Sequence, residues 1–330
     1  MPSSSSAYSQ TELENKASLI PLLVILGPTG VGKSELAVPL AEKFEGEIVS
    51  ADSRTFYRGM DIGTAKPSLE ERRRVPHHLI DVADPDETWS LALFQREASK
   101  IIGQIHQREH LPFLVGGTGQ YLRAVIEGWK IPSVVPEPRS RAVLTGWAKQ
   151  FSPVELQAKL ALLDPQAASR IDPSNVRRMI RAFEVIFSSG KRFSGQRLRG
   201  ENAFSPLLLG LTCPRPELYQ RIDERISSMI SCGLIEEVQR LLGQGYSPQL
   251  PTMSAIGYGE IVSYLQGEAS LDEAVRLMQQ KTRRFVRRQA NWFKPHDPEI
   301  HWVTRGEGAI AESTELISLW LKEIEDAGRN

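Results

Sequence analysis

Cysteine is scarce: Cys213 and Cys232 are the two that this chain of 330 residues contains. That is too few for a disulfide framework or a cysteine-rich zinc site, and it fits a reducing compartment. A charge excess is missing too. Lys and Arg number 40, Asp and Glu 40, so no global field draws the chain to nucleic acid, and any such attraction must come from local clustering. No apolar run approaches the roughly 18–20 residues of a membrane span, so no membrane partner is expected. The segment Met1 to Lys16 is Ser-rich and polar. It lacks the apolar core of a signal peptide and the arginines of a transit peptide, and residues 1–18 read as a disordered tail. Internal repeats and coiled-coil heptads are absent, which makes a monomer with no obligate protein partner the default. With 41% hydrophobic and 24% charged residues, what remains is ordinary globular protein, long enough for two domains or one with an insertion.

What is present is a phosphate-binding loop. Gly27, Pro28, Thr29, Gly30, Val31, Gly32, Lys33 and Ser34 satisfy G-x-x-x-x-G-K-[ST]. The apolar run Leu22–Leu26 before it reads as a strand, and residues 35–44 after it read as a helix, which is the context the motif requires. Glycines let backbone N–H groups turn around an anion. The helix N-terminus and Lys33 add positive charge, and Ser34 is placed to ligate Mg²⁺. The loop does not say whether the diphosphate it holds belongs to a nucleotide.

Further strands are expected at Glu47–Ser50, His78–Val82, Pro112–Val115, Pro206–Thr212 and Ile300–Val303. Helices are expected at Glu217–Gln244, Gly257–Gln266 and Leu271–Phe293. The alternation predicts an α/β fold, a P-loop parallel sheet covered by helices. From Gly128 the pattern changes. Pro132, Pro136 and Pro138 interrupt it, and Arg139 to Phe187 is helical. The expected organisation is a core of residues 19–127 and 204–330 with an inserted all-helical domain at 128–203. Ligands of such sheets gather at the carboxyl ends of the strands, where Ser34, Asp52 and Thr118 converge.

Asp52, at a strand end, suits either a carboxylate that holds Mg²⁺ through water or a general base, and equally a helix N-cap. Gly116-Gly117-Thr118-Gly119 is a second glycine turn that suits a diphosphate oxygen. Basic residues cluster twice. Residues 170–199 carry net +6, and 276–294 carry seven basic residues with no acid. Arg283, Arg284, Arg287 and Arg288 fall on one helix face by the i, i+4 rule. Such stretches suit a polyanion larger than a nucleotide, although a solvated face is the ordinary alternative. His77-His78 reads as one buried and one exposed strand residue rather than a metal pair. Trp292-Phe293 reads as core.

Gly-Pro-Thr-x-x-Gly-Lys-Ser at 27–34, Ser-Ala-Asp-Ser at 50–53, the run Tyr57 to Pro67, Pro76 to Asp81, Gly116 to Tyr121, Ala255 to Tyr258 and the stretch ending Arg288 to Phe293 together resemble tRNA dimethylallyltransferases, also called tRNA isopentenyltransferases. The likeness runs from about residue 20 to 305. It implies transfer of a dimethylallyl group from dimethylallyl diphosphate to N6 of the adenosine 3′ of the anticodon. The phosphate loop would hold the donor diphosphate, with Mg²⁺. It further implies Asp52 as general base, with Thr118, Lys33 and Arg139 at the diphosphate, Arg141 being the alternative to Arg139. For tRNA it implies Asp52, Ser53, Arg54 and Thr55, then Arg177, Arg178 and Arg181, then Ser254, Ala255, Ile256, Gly257, Tyr258 and Gly259, and the Arg283–Arg288 helix. Thr55 departs from the family's usual Gln. No zinc-finger pattern of the kind some eukaryotic relatives carry is present, so a bacterial-type cytoplasmic enzyme is expected. An adenylate dimethylallyltransferase or a nucleotide kinase is the rival enzyme reading, but neither needs the helical insertion and two basic stretches. A non-catalytic RNA-binding protein with a relic P-loop is the rival of another class, and intact Lys33, Ser34, Asp52 and Thr118 argue against it.

Overall fold

A computed structural model of the chain describes residues 19–131, 137–196, 200 and 203–328. The expected tail at 1–18, together with Pro132, Pro136, Arg197 and Arg199, lies outside them. In chain order the elements are β1 (Ile20–Leu26), α1 (Lys33–Lys43), β2 (Gly46–Ser50), α2 (Leu69–Arg74), β3 (His77–His78), α3 (Leu91–Gln107), β4 (Leu111–Gly116) and α4 (Gly119–Ile126). Then come α5 (Pro138–Ala148), α6 (Pro153–Leu163), α7 (Pro165–Arg170), α8 (Val176–Ser189) and a short 3₁₀ turn. The chain continues through β5 (Phe204–Thr212), α9 (Arg215–Ser231), α10 (Leu234–Gly243), α11 (Tyr258–Leu265), α12 (Leu271–Gln289), β6 (Ile300–Thr304) and α13 (Ala309–Gly328).

The six strands form one parallel sheet in the order β3-β2-β4-β1-β5-β6. Leu22 to Leu26 of β1 are wholly buried, as expected of a central strand covered on both faces. Register sets up the site. Leu26 pairs with Gly116, and Ser50 pairs with Val115. The loops after β1, β2 and β4 therefore leave the sheet side by side at its carboxyl edge, where such folds bind ligands.

Two expected elements differ. The strand at 78–82 is only His77–His78, because Leu79 and Asp81 adopt positive φ (58° and 56°), which no strand accommodates. The N–H groups of Asp81, Val82 and Ala83 bond instead to the carbonyls of Thr55 and Phe56. The single helix expected at 217–244 is two, parted where Gly233 takes φ 100°. Nor does the histidine pair divide into one buried and one exposed. Both are half-buried, His78 Nε2 lying 2.6 Å from the Glu47 carboxylate and His77 Nδ1 2.8 Å from the Val75 carbonyl.

By contacts the chain divides into two compact units. One comprises residues up to Ile126 and from Asn202 onward; the other is Glu127–Glu201. The second is helical and has a core of its own, with Leu156, Leu160, Met179 and Phe183 at its centre. Its turns are capped from within: Asp164, buried, accepts from the Ala167 N–H and from Ser194.

Candidate active site

The phosphate loop meets α1 at Gly32, whose φ of 98° is a left-handed conformation open to glycine. This turn frees the first N–H groups of α1 for an anion. Lys33 folds back so that Nζ donates to the carbonyls of Gly27 (3.1 Å) and Pro28 (2.8 Å). Burial pulls its ammonium down to about 8, against the attraction of Asp52 and with help from Arg225. Arg221 braces the loop from α9: Nε donates to the Gly30 carbonyl (3.0 Å), and Nη2 to Glu35 (2.6 Å).

Asp52 follows β2. One carboxylate oxygen accepts the Arg54 N–H at 3.0 Å, the local turn that Asp favours. The same side chain lines a cavity of about 890 Å³ with Thr29, Lys33, Ser34 and Arg225. Thr118, after β4, is tied to the β2 loop by the Ser53 N–H at 3.5 Å from its hydroxyl. Ser34 and Asp52 thus share the cavity, whose β4 side is lined by Val115 and Gly116, while Thr118 meets the β2 loop through Ser53.

Sequence reasoning missed Arg225. It reaches the cavity from α9, half-buried, with no hydrogen bond or ion pair among the described residues. Burial lowers its pKa, offset in part by Asp52. An arginine in a polar helix remote in sequence resembles any solvated residue, so only the fold reveals it. Lys33 and Arg225 leave positive charge in excess over Asp52, which suits a multiply charged anion.

The segment before β3 is pinned by one buried carboxylate. Glu237 of α10 accepts the N–H groups of Asp61 (3.0 Å), Ile62 (2.9 Å) and Gly63 (3.2 Å) and the Tyr258 hydroxyl (2.6 Å). Lys66, nearly enclosed, joins Asp61, Asp81 and the Tyr57 carbonyl at 2.5–2.7 Å.

Several expected RNA-facing residues are committed elsewhere. Tyr258 and Ala255 are buried, so their side chains shape the segment rather than meet a ligand. Thr55 is buried and bonded to Ser50 and the Asp52 carbonyl. Arg283 pairs with Asp223 at 2.5 Å and lies over the Tyr219 ring, so it packs against α9. In the helical unit Arg181 and Arg141 both bind the buried Glu184, Arg141 by two bonds of 2.6 and 2.8 Å. Arg139 on α5 is exposed, as are Arg177, Arg54, Ser254, Arg284, Arg287 and Arg288; Arg178, Ser53, Ile256 and Gly259 are half-buried, and Gly257 is buried.

A parallel sheet whose carboxyl edge carries a glycine-rich loop, with Lys33, Arg225 and Asp52 lining one cavity there, defines an α/β protein with a polar site at the strand ends. The IPP transferase family model matches residues 55–296. The tRNA dimethylallyltransferase of Thermomicrobium roseum is 48% identical over 310 residues, covering 93% of this chain and 94% of the relative. That of a Roseiflexus species is 51% identical over 276 residues, covering 84% and 90%. The full-length tRNA isopentenylpyrophosphate transferase of Bacillus halodurans has a similar structure, with TM-score 0.69 and 38% identity over 94% of this chain and 98% of that one. A eukaryotic dimethylallyltransferase acting on tRNA gives TM-score 0.74 at 28% identity, covering 90% and 79%. The chain belongs to the IPP transferase family and is a transferase.

Proposed function

We propose that the protein transfers a dimethylallyl group from dimethylallyl diphosphate to N6 of the adenosine 3′ of the anticodon in tRNA. The observation that carries this reading is the placement of Lys33 and Asp52, from the ends of β1 and β2 on either side of β4, on one cavity. The phosphate loop, Lys33, Arg225 and the Thr118 hydroxyl hold the donor diphosphate. Their charge stabilises the leaving group as the allylic C–O bond breaks. The N6–C bond forms as Asp52 takes the amine proton, and diphosphate departs. The reacting base must leave its stack to reach this cavity.

Mg²⁺ fits the oxygen donors present. Ser34 would hold it together with donor oxygens and water, as this ion prefers, with Asp52 nearby. When bound it supplies further neutralisation of diphosphate charge.

For the tRNA, the exposed Arg284, Arg287 and Arg288 of α12 and the helical unit with Arg177 and Arg178 supply phosphate contacts, which position the substrate without reading bases. Arg139 at the diphosphate is what the resemblance implies; the arginine that lines the cavity within the P-loop unit itself is Arg225. No described helix is long and apolar enough to cross a membrane. The substrate assigns the work to the cytoplasm. Mass spectrometry of tRNA nucleosides after incubation with dimethylallyl diphosphate and Mg²⁺ tests the reading, with N6-isopentenyladenosine the expected product. Hydrolysis of ATP stimulated by tRNA, without that product, would favour a nucleotide-driven enzyme.

A further inference from the structure

One side-chain amide bridges the two loops that face the diphosphate. Gln289 is the last residue of α12. Its Oε1 accepts the Thr29 N–H of the phosphate loop at 3.0 Å, and its Nε2 donates to the Gly117 carbonyl at 2.8 Å. The approach leaves no spare room. A Cβ added at Gly117 would fall 2.4 Å from Gln289 Nε2, 3.1 Å from the Gly27 carbonyl oxygen and 3.5 Å from Lys33 Nζ. Both loops, the amide and the lysine therefore meet at Gly117. The helix end is anchored a few residues further on, where Trp292 packs over Gly119 and its carbonyl accepts from Arg123 at 3.0 Å.

We propose that Gln289 is a positioning residue for the transfer reaction, setting the separation of the phosphate loop and the Gly-Gly-Thr-Gly turn so that Lys33 and Thr118 close on the same diphosphate. The inference rests on the diphosphate reading above. It follows from the inventory of a primary amide. Among uncharged side chains an amide of this length offers one acceptor and one donor on a planar fork, so it can satisfy a loop N–H on one side and a loop carbonyl on the other at once. With the amide absent, the Thr29 N–H and the Gly117 carbonyl lose their partners and the loops lose their shared fixed point.

Inorganic diphosphate binding by the intact protein, measured calorimetrically with Mg²⁺, gives the test. Wild type should bind; absence of binding would overturn the diphosphate reading itself. Gln289→Met keeps length and volume without either bond. It should weaken diphosphate binding about tenfold and raise KM for dimethylallyl diphosphate similarly, leaving KM for tRNA within about twofold. Gln289→Glu supplies the second arm. Its protonated carboxyl has one donor and one acceptor as the amide has, while its carboxylate lacks the donor and faces the Gly117 carbonyl. Relative to wild type at each pH, this variant should bind poorly at neutral pH and recover as pH falls and the introduced carboxylate takes up its proton. Gln289→Met should show no recovery. Wild-type affinity in Gln289→Met, or loss in Gln289→Glu that does not vary with pH, would overturn the positioning role. Should Gln289→Met fail to fold, the pH-dependent arm decides alone.

Discussion

At the scale of single residues, the proposed reaction gives separate tasks to Asp52, Lys33 and Arg225, which line one cavity. Asp52→Asn keeps the oxygen that accepts the Arg54 N–H but removes the proposed base. The expected result is a fall in kcat of at least about a hundredfold with donor affinity retained, measured by single-turnover transfer and donor titration. If donor affinity falls instead in a Mg²⁺-dependent way, Asp52 serves the ion. Arg225→Ala should raise KM for dimethylallyl diphosphate by about one order of magnitude and spare tRNA affinity, as expected for a charged contact to the donor. Local pattern made part of this scale legible. The G-x-x-x-x-G-K-[ST] spacing carries the phosphate loop, and strand-end placement carries Asp52 and Thr118. Arg225 was not legible, nor were Gln289 and Glu237. Each sits on a helix and acquires its role through a tertiary partner more than a hundred residues away.

At the scale of elements, apolar runs revealed the buried strands because a strand covered on both faces has no polar side. The strand expected at His78–Val82 stops at His78 because the backbone turns at Leu79, a choice set by bonds to Thr55 and Phe56 rather than by residue type. Helix α12 shows where periodicity stops informing. The i, i+4 rule puts Arg283 with Arg284, Arg287 and Arg288, yet Asp223 holds Arg283 against α9. The double change Arg284→Ala with Arg288→Ala should therefore weaken tRNA binding and flatten the slope of log affinity against log salt by roughly 0.7–0.9 per lost phosphate contact. Binding of dimethylallyl diphosphate should not change. Arg283→Ala, by contrast, should lower the melting temperature with little change in that slope. Filter binding over a salt series and thermal melts separate the two outcomes.

At the scale of the whole molecule, stability in acid depends on the amino-terminal end of β2. Burial of Glu47 would raise its pKa, but hydrogen bonds from Arg108, His78 and His110 outweigh it and hold the carboxyl near about 2 rather than 4.5. A carboxyl lowered in the fold adds stability above its unfolded pKa and loses it as pH falls. Wild type should thus lose stability between pH 4.5 and about 2 more steeply than Glu47→Gln, which is less stable at neutral pH. Urea midpoints across that range provide the check. The topology has a consequence for how the chain reaches this state. β1 pairs along its whole length with β5, although more than half the chain, including the helical unit, intervenes. Closing so long a loop carries an entropic cost that short-range contacts do not. The helical unit, whose core needs only its own residues, is free to form during that search. In pulse-labelled refolding its amides should be protected first, with β1 and β5 gaining protection together and later, so the strand that presents the phosphate loop becomes fixed in the same step that completes the sheet.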